Sequence, residues 1–275
     1  MKRLLPLLLL ATLVACSEPP AEASPAATAA PAAAAPAAVE PAPASTDASA
    51  PAEATAATPE AAPAEPAAPA PEPVMPDPAN APREGIDYTV LPEPQPTYGQ
   101  GGIEVAEVFA YTCIHCANLQ PNIDAWHKTL PSDVRFVYVP GAFGGVSDNF
   151  ARGFYAAEAT GMAQKTHSPL FQAVLVENKF KSGSPEEIAD WYASQGGDRD
   201  AFLSTMQSFS VDAKVERARQ FAMRTNVQAT PTMIIAGKYS ATTTGDRGAA
   251  GLLETIDWLV ARERAEQAAA APAGP

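Results

Sequence analysis

The sequence predicts an α/β protein in which an all-helical segment interrupts a strand-bearing domain. Three observations carry that expectation. A β-branched and aromatic run, Ile103–Tyr111, passes directly into a helical pattern at Cys113. A second such run, Val134–Val139, closes at Pro140-Gly141, and strand pattern does not return until Thr232–Ala236. The intervening residues read as successive helices separated by Gly, Ser or Pro.

In chain order, Ile86–Leu91 reads as a short first strand and Ile103–Tyr111 as a buried one. A helix follows from Cys113 to Leu130, with Pro121 inside it. After Val134–Val139 come helical stretches at Ser147–Thr160, His167–Lys179, Ser184–Gln195, Arg199–Gln207 and Val211–Thr225. Ser184-Pro185-Glu186-Glu187 is a helix start, with Ser as N-cap and Pro in the first turn. Thr232–Ala236 turns at Gly237-Lys238 into Tyr239–Thr243. A last helix carries Leu252, Leu253, Ile256, Leu259 and Val260 on one stripe. No internal repeat is evident.

The first 82 residues are of another kind. Met1-Lys2-Arg3, an apolar run from Leu4 and a small residue before Cys16 describe a secretory signal over residues 1–15, too short to span a membrane comfortably. Leu13-Val14-Ala15-Cys16 resembles the bacterial lipobox, which implies lipidation of Cys16; the other reading is an ordinary signal with an incidental Cys. Ser17 fits the outer-membrane sorting pattern. Residues 17–82 hold 17 of the 29 prolines and no Lys or Arg. Proline at that frequency keeps the Ala runs from extending into stable helices, so residues 16–82 are expected to be a disordered tether. The tail, residues 266–275, reads the same way.

Charge follows this division. Of the net −13, the signal contributes +2, the tether −9 and residues 83–275 −6, from 16 basic and 22 acidic residues. Most of the acidity therefore sits in a solvated spacer. The mildly acidic remainder argues against nucleic acid as a partner.

Chemistry concentrates at Cys113-Ile114-His115-Cys116. Two thiols one turn apart at a helix start can address one point, and the first meets the positive end of the helix dipole. If Cys16 carries lipid, these are the remaining cysteines of the three, and an exported chain with one close pair is better read as redox-active than as disulfide-stapled. An ordinary thiol is only about 3% thiolate at pH 7. A helix dipole supplies about 0.3–2 kcal/mol, so N–H donors and His115 are expected to assist Cys113. Cys113 is the expected nucleophile and Cys116 the resolving thiol. Strand alternation puts Glu107 on one face with Ile103, Val105 and Phe109, where a carboxyl would have a raised pKa and could relay the Cys116 proton; a register break exposing it is the alternative. His127 and His167 have no comparable context and are expected at the surface or at helix caps.

Residues 85–263 resemble the DsbA family of bacterial dithiol oxidases. The resemblance rests on Cys113-Ile114-His115-Cys116, Glu107 six residues earlier, and Ala229-Thr230-Pro231-Thr232 followed by Gly237-Lys238-Tyr239. It implies a thioredoxin fold made of residues 83–140 and 227–265, with 141–226 as the inserted helical domain. It also implies that Glu107 is the family's buried acid and that Pro231 is cis and, with Thr230, presents backbone to an extended substrate peptide. The chain departs from the familiar pattern at Ile114, where Pro is usual, and at Thr230, where Val is common. Both changes bear on the redox potential.

The resemblance further implies a periplasmic enzyme that donates its Cys113–Cys116 disulfide to exported proteins with free thiols. Reoxidation by a DsbB-like membrane quinone reductase is implied as well, with no added cofactor or metal. A reductase or isomerase of the same fold is the first alternative. A metal site made of Cys113, His115 and Cys116, lacking an evident fourth ligand, is another, and a peptide-binding chaperone a third.

Overall fold

The computed structural model describes residues 68–271. The signal, Cys16 and most of the expected tether lie outside the described residues. Five strands form a mixed sheet in the order β1-β5-β4-β2-β3: β1 (Tyr88–Val90), β2 (Ile103–Phe109), β3 (Val134–Pro140), β4 (Thr232–Ile235) and β5 (Tyr239–Ala241). β2 runs parallel to β3 and antiparallel to β4, which places it at the centre of the sheet. All seven of its residues are buried between two covered faces, two of them the glutamates Glu104 and Glu107.

Helix α1 (Ile114–His127) and the last helix, α7 (Gly248–Ala270), cover one face. There Leu119 and Ile123 of α1 and Leu252, Ile256 and Leu259 of α7 pack on Val105, Met233 and Ile235. Between β3 and β4 come α2 (Val146–Ala159), α3 (Ala163–Leu175), α4 (Pro185–Ser194), α5 (Arg199–Met206) and α6 (Phe209–Arg224). They bury Phe150, Phe154, Tyr192, Phe202 and Phe221 in a second cluster that reaches Ala106, Val108 and Ile234 of the sheet. This is a thioredoxin-type sheet with helices inserted after β3.

Local chemistry explains the boundaries. Ser184, Asp198 and Ser208 accept from the backbone N–H of Glu187, Ala201 and Val211 and so cap α4, α5 and α6. Ser208 therefore starts α6 at Phe209, ahead of the expected Val211. α1 ends at His127 rather than Leu130. Pro121 inside it lacks the N–H that would engage the Ala117 carbonyl. The β4–β5 turn holds Ala236 and Gly237 at positive φ, and a Cβ on Gly237 would fall 2.0 Å from the Gln95 carbonyl oxygen.

Two expected boundaries need correction. α7 continues to Ala270, well past residue 265, because alanine is the best helix former and Arg262 pairs with Glu266 at 2.8 Å one turn on. Ordered contacts also begin before residue 83. The Ala68 carbonyl accepts from Ser132 N–H at 2.8 Å, and the Trp258 indole donates to the Asp77 carbonyl at 3.3 Å.

Candidate functional site

The site forms where β2 ends and α1 begins. Cys113 is the N-cap of α1: its backbone is extended, and its Sγ accepts from the Cys116 backbone N–H at 3.4 Å. A sulfur thus occupies the place where Ser or Asp usually satisfies the first free N–H groups of a helix. The Cys113 thiol also lies 3.2 Å from the Thr230 carbonyl oxygen, to which it can donate. The Thr230-Pro231 bond is cis, so the loop before β4 faces the dithiol across 117 residues of chain. Both thiols are free.

The two sulfurs differ in environment. Cys113 is half-buried and Cys116 completely buried. Burial pushes the Cys113 thiol up, but hydrogen bonds from the Thr230 side chain, the Cys116 backbone and thiol, and the His115 backbone outweigh it and hold the thiol below its ordinary value. Burial pushes the Cys116 thiol far up, and the charges of Cys113 and Glu107 reinforce that. At neutral pH the outer sulfur is the readier thiolate and the inner one keeps its proton.

Glu107 lies in the layer beneath α1. In register its cross-strand partners are Met233 and Tyr138, and its side chain is buried, with Oε2 lacking any hydrogen-bond partner. Desolvation, then the charges of Cys113 and Asp124, push its carboxyl up to about 8. Glu104, three residues earlier, is equally buried but fully satisfied. It accepts from the backbone N–H groups of Tyr98 and Gly99 and pairs with Arg135 at 2.6 Å. One acid of β2 is thus a structural anchor, and the other is left without a partner close to two thiols. Local sequence gave no signal of the ion pair between Glu104 and Arg135, because the two lie 31 residues apart on neighbouring strands.

His115 is exposed, and no hydrogen bond of its ring is seen among the described residues. Its backbone N–H is among the donors that hold the Cys113 thiol down. His127 is exposed and packs beside Phe136. His167 corrects the expectation of a surface residue. It is buried among Phe109, Phe154 and Phe171, 2.7 Å from the Tyr111 hydroxyl and 3.2 Å from Gln120 Oε1. Burial drives its imidazole down to about 3, so it is neutral. Its i+4 partner Phe171 was the available hint of an inward face.

A groove of about 500 Å³ between α1 and α3, walled by Gln120, Pro121, Asp124, Phe171 and Trp191, contains neither cysteine. Among the described residues no group of three His, Cys, Asp or Glu is placed to hold a metal ion, and no helix is long and apolar enough to cross a membrane. Chemically, the arrangement offers an accessible stabilised thiolate, a protonated buried thiol and a buried acid between ordinary carboxyl and thiol pKa values.

Residues 104–256 match the model of the DSBA-like thioredoxin domain. The chain is 38% identical over 181 residues to the thiol:disulfide interchange protein DsbA of Pseudomonas aeruginosa, an overlap of 66% of this chain and 85% of the relative. It is 37% identical over 183 residues to the protein of that name from Azotobacter vinelandii, with the same shares covered. Among solved structures, P. aeruginosa DsbA superposes with a TM-score of 0.64 at 36% identity, covering 68% of this chain and 96% of that one. The oxidoreductase DsbA of Xylella fastidiosa gives 0.63 at 36% identity, covering 67% and 98%.

Proposed function

The chain belongs to the DsbA-like thioredoxin domain family, and from that premise we propose that it is a thiol:disulfide oxidoreductase that donates a Cys113–Cys116 disulfide to exported proteins. The observation that carries this reading is the asymmetry of the pair. Cys113, capped onto α1, is held as the better thiolate, while Cys116 is buried and keeps its proton. Stabilising the dithiol form in this way makes the disulfide form oxidising.

In the oxidised protein a substrate thiolate attacks Cys113 Sγ. The Cys113–Cys116 bond breaks, and a mixed disulfide forms as Cys116 leaves as a thiolate. Glu107, the weaker base of the two, gives its proton to Cys116. A second substrate thiolate then attacks the substrate sulfur of the mixed disulfide and expels Cys113 as a thiolate. Two substrate thiols become one disulfide, and the protein disulfide becomes a dithiol. Reoxidation reverses the proton transfer: the Glu107 carboxylate takes the Cys116 proton, and a DsbB-like quinone-linked membrane protein accepts the electrons. Thr230 and Pro231 offer backbone to an extended substrate strand, with their loop beside the attacked sulfur.

The setting in this proposal is the periplasm, with Cys16 carrying lipid that ties the chain to a membrane, the outer one by the Ser17 pattern. The experiment is to mix the oxidised full chain with a reduced, unfolded protein bearing two cysteines. Stoichiometric disulfide formation, lost in Cys113→Ser, supports the reading. No transfer from a demonstrably oxidised chain overturns it.

A further inference from the structure

One stripe of α1 leads away from the nucleophile. Ala117, Gln120, Pro121 and Asp124 follow Cys113 at helical spacing, so they share the side of the helix on which Cys113 caps it. The same four residues form one wall of the groove of about 500 Å³, and Ser168 and Phe171 of α3 face them. The groove therefore opens one turn past the nucleophile, at Ala117, whose N–H donates to the Cys113 carbonyl at 3.2 Å. It reaches Asp124 about 16 Å along the helix axis from Cys113.

The carboxylate at that far end has neutral partners. Asp124 accepts from Gln120 Nε2 at 2.9 Å and from Ser168 Oγ at 3.0 Å, which fix it where α1 meets α3 and leave lone pairs on both oxygens. Among the described residues no Lys or Arg pairs with it. Lys165 of α3 turns its Nζ to the Gln195 carbonyl at 3.1 Å, and Lys179 pairs at 3.5 Å with Glu177, a second acid of the groove. Trp191 of α4 lends an aromatic wall, and no hydrogen bond of its indole N–H is seen among the described residues. A fixed carboxylate without a counter-charge, beside an indole, suits a guanidinium above other groups. That cation gives a carboxylate two parallel N–H bonds and stacks on an aromatic face.

We propose that this groove is a substrate subsite, in which Asp124 receives an arginine of the polypeptide being oxidised and Trp191 lies beside the guanidinium. The proposal rests on the disulfide transfer through Cys113 given above and adds which exported chains react fastest. An extended chain advances about 3.3 Å per residue, so the arginine stands about three to five residues from the attacked cysteine. Asp124 and Trp191 select substrate and take no part in the exchange of sulfur bonds.

The test measures second-order rate constants for reduction of the oxidised full chain by single-cysteine peptides. Each peptide carries one Arg or one Gln, placed two to six residues from the cysteine on either side. The Arg peptide is expected to react about tenfold faster than its Gln twin at the fitting position, and on one side only. Attraction to a mildly acidic surface would favour Arg equally at every position and overturn the proposal. Asp124→Asn, nearly the same shape, brings the Arg-to-Gln ratio close to one. Because the ratio compares two peptides on one protein, a change in the dithiol itself cancels from it. Trp191→Leu, which keeps an apolar wall without the ring face, lowers the ratio severalfold and decides the matter should Asp124→Asn not fold. An unchanged ratio in folded Asp124→Asn, or in Trp191→Leu, overturns the proposal. If the Gln peptides are not oxidised at all, the disulfide-transfer reading fails; if Arg and Gln peptides are oxidised equally, only the subsite does.

Discussion

The Cys116 backbone N–H donates to the Cys113 sulfur at 3.4 Å, so one member of the pair stabilises the thiolate of the other while its own thiol stays buried. The helix start is thus capped by the group that has to ionise. The relation is strongest when Cys113 is charged, because a thiolate is a far better acceptor than a thiol.

This division predicts selective alkylation. In the reduced protein, iodoacetamide should modify Cys113 with a rate that follows a titration below that of an ordinary thiol, and Cys116→Ser should retain that reaction. Cys113→Ser should be nearly inert until denaturant is added. Equal rates at both positions in the folded protein would contradict the division.

Glu107 predicts a pH-dependent stability. Its folded pKa of about 8 lies above the unfolded value near 4.5, so the folded form binds the extra proton between them. The group therefore destabilises the fold increasingly as pH rises from about 4.5 to 8, by a few kcal/mol on the order of 1.4 per unit. Glu107→Gln should gain stability over the wild type across that window and match it more closely at pH 4–5. Thermal melts of the reduced forms at several pH values measure this.

The ion pair of Arg135 and Glu104 gives a contrasting case. Arg135→Ala leaves a buried carboxylate with only two backbone donors and should cost about 3 kcal/mol in urea unfolding. Thiol reactivity at Cys113 should be unchanged, since Glu104 contacts neither sulfur. A loss below about 1 kcal/mol would mean that the backbone N–H groups suffice.

If Cys16 carries the anchor, Cys16→Ser expressed with its signal should leave the membrane fraction for the soluble one. The purified chain should exchange disulfides as before. Continued membrane association would count against lipidation.

What could be read from the sequence was what acts locally or at fixed spacing. Cys113 and Cys116 announce a helix start, Ser184-Pro185 another, and β2 its burial through the β-branched and aromatic residues that surround its two glutamates. Glu107 was legible because a charge in such a run is costly. His167 was not, because its cage comes from β2, α2 and α3, and no local pattern brings Phe109, Phe154 and Phe171 together. Gln120, Asp124 and Tyr138 escaped for the same reason: each is an ordinary residue whose role arises from hydrogen bonds across elements. The ends of the domain were misplaced because composition alone separated tether from fold. Ala-rich chain is helical when it prolongs a packed helix, as at Ala268–Ala270, and Pro-rich chain is ordered where neighbours accept its contacts, as Trp258 does near Asp77.

The central claim is that this pair oxidises because its dithiol form is the stabilised one. The direct measurement is the equilibrium potential of the full chain in glutathione redox buffers. The expected result is a potential more positive than that of the cytosolic glutathione pool, about −240 mV. A potential near that of thioredoxin, about −270 mV, would make the chain a reductant and contradict the account.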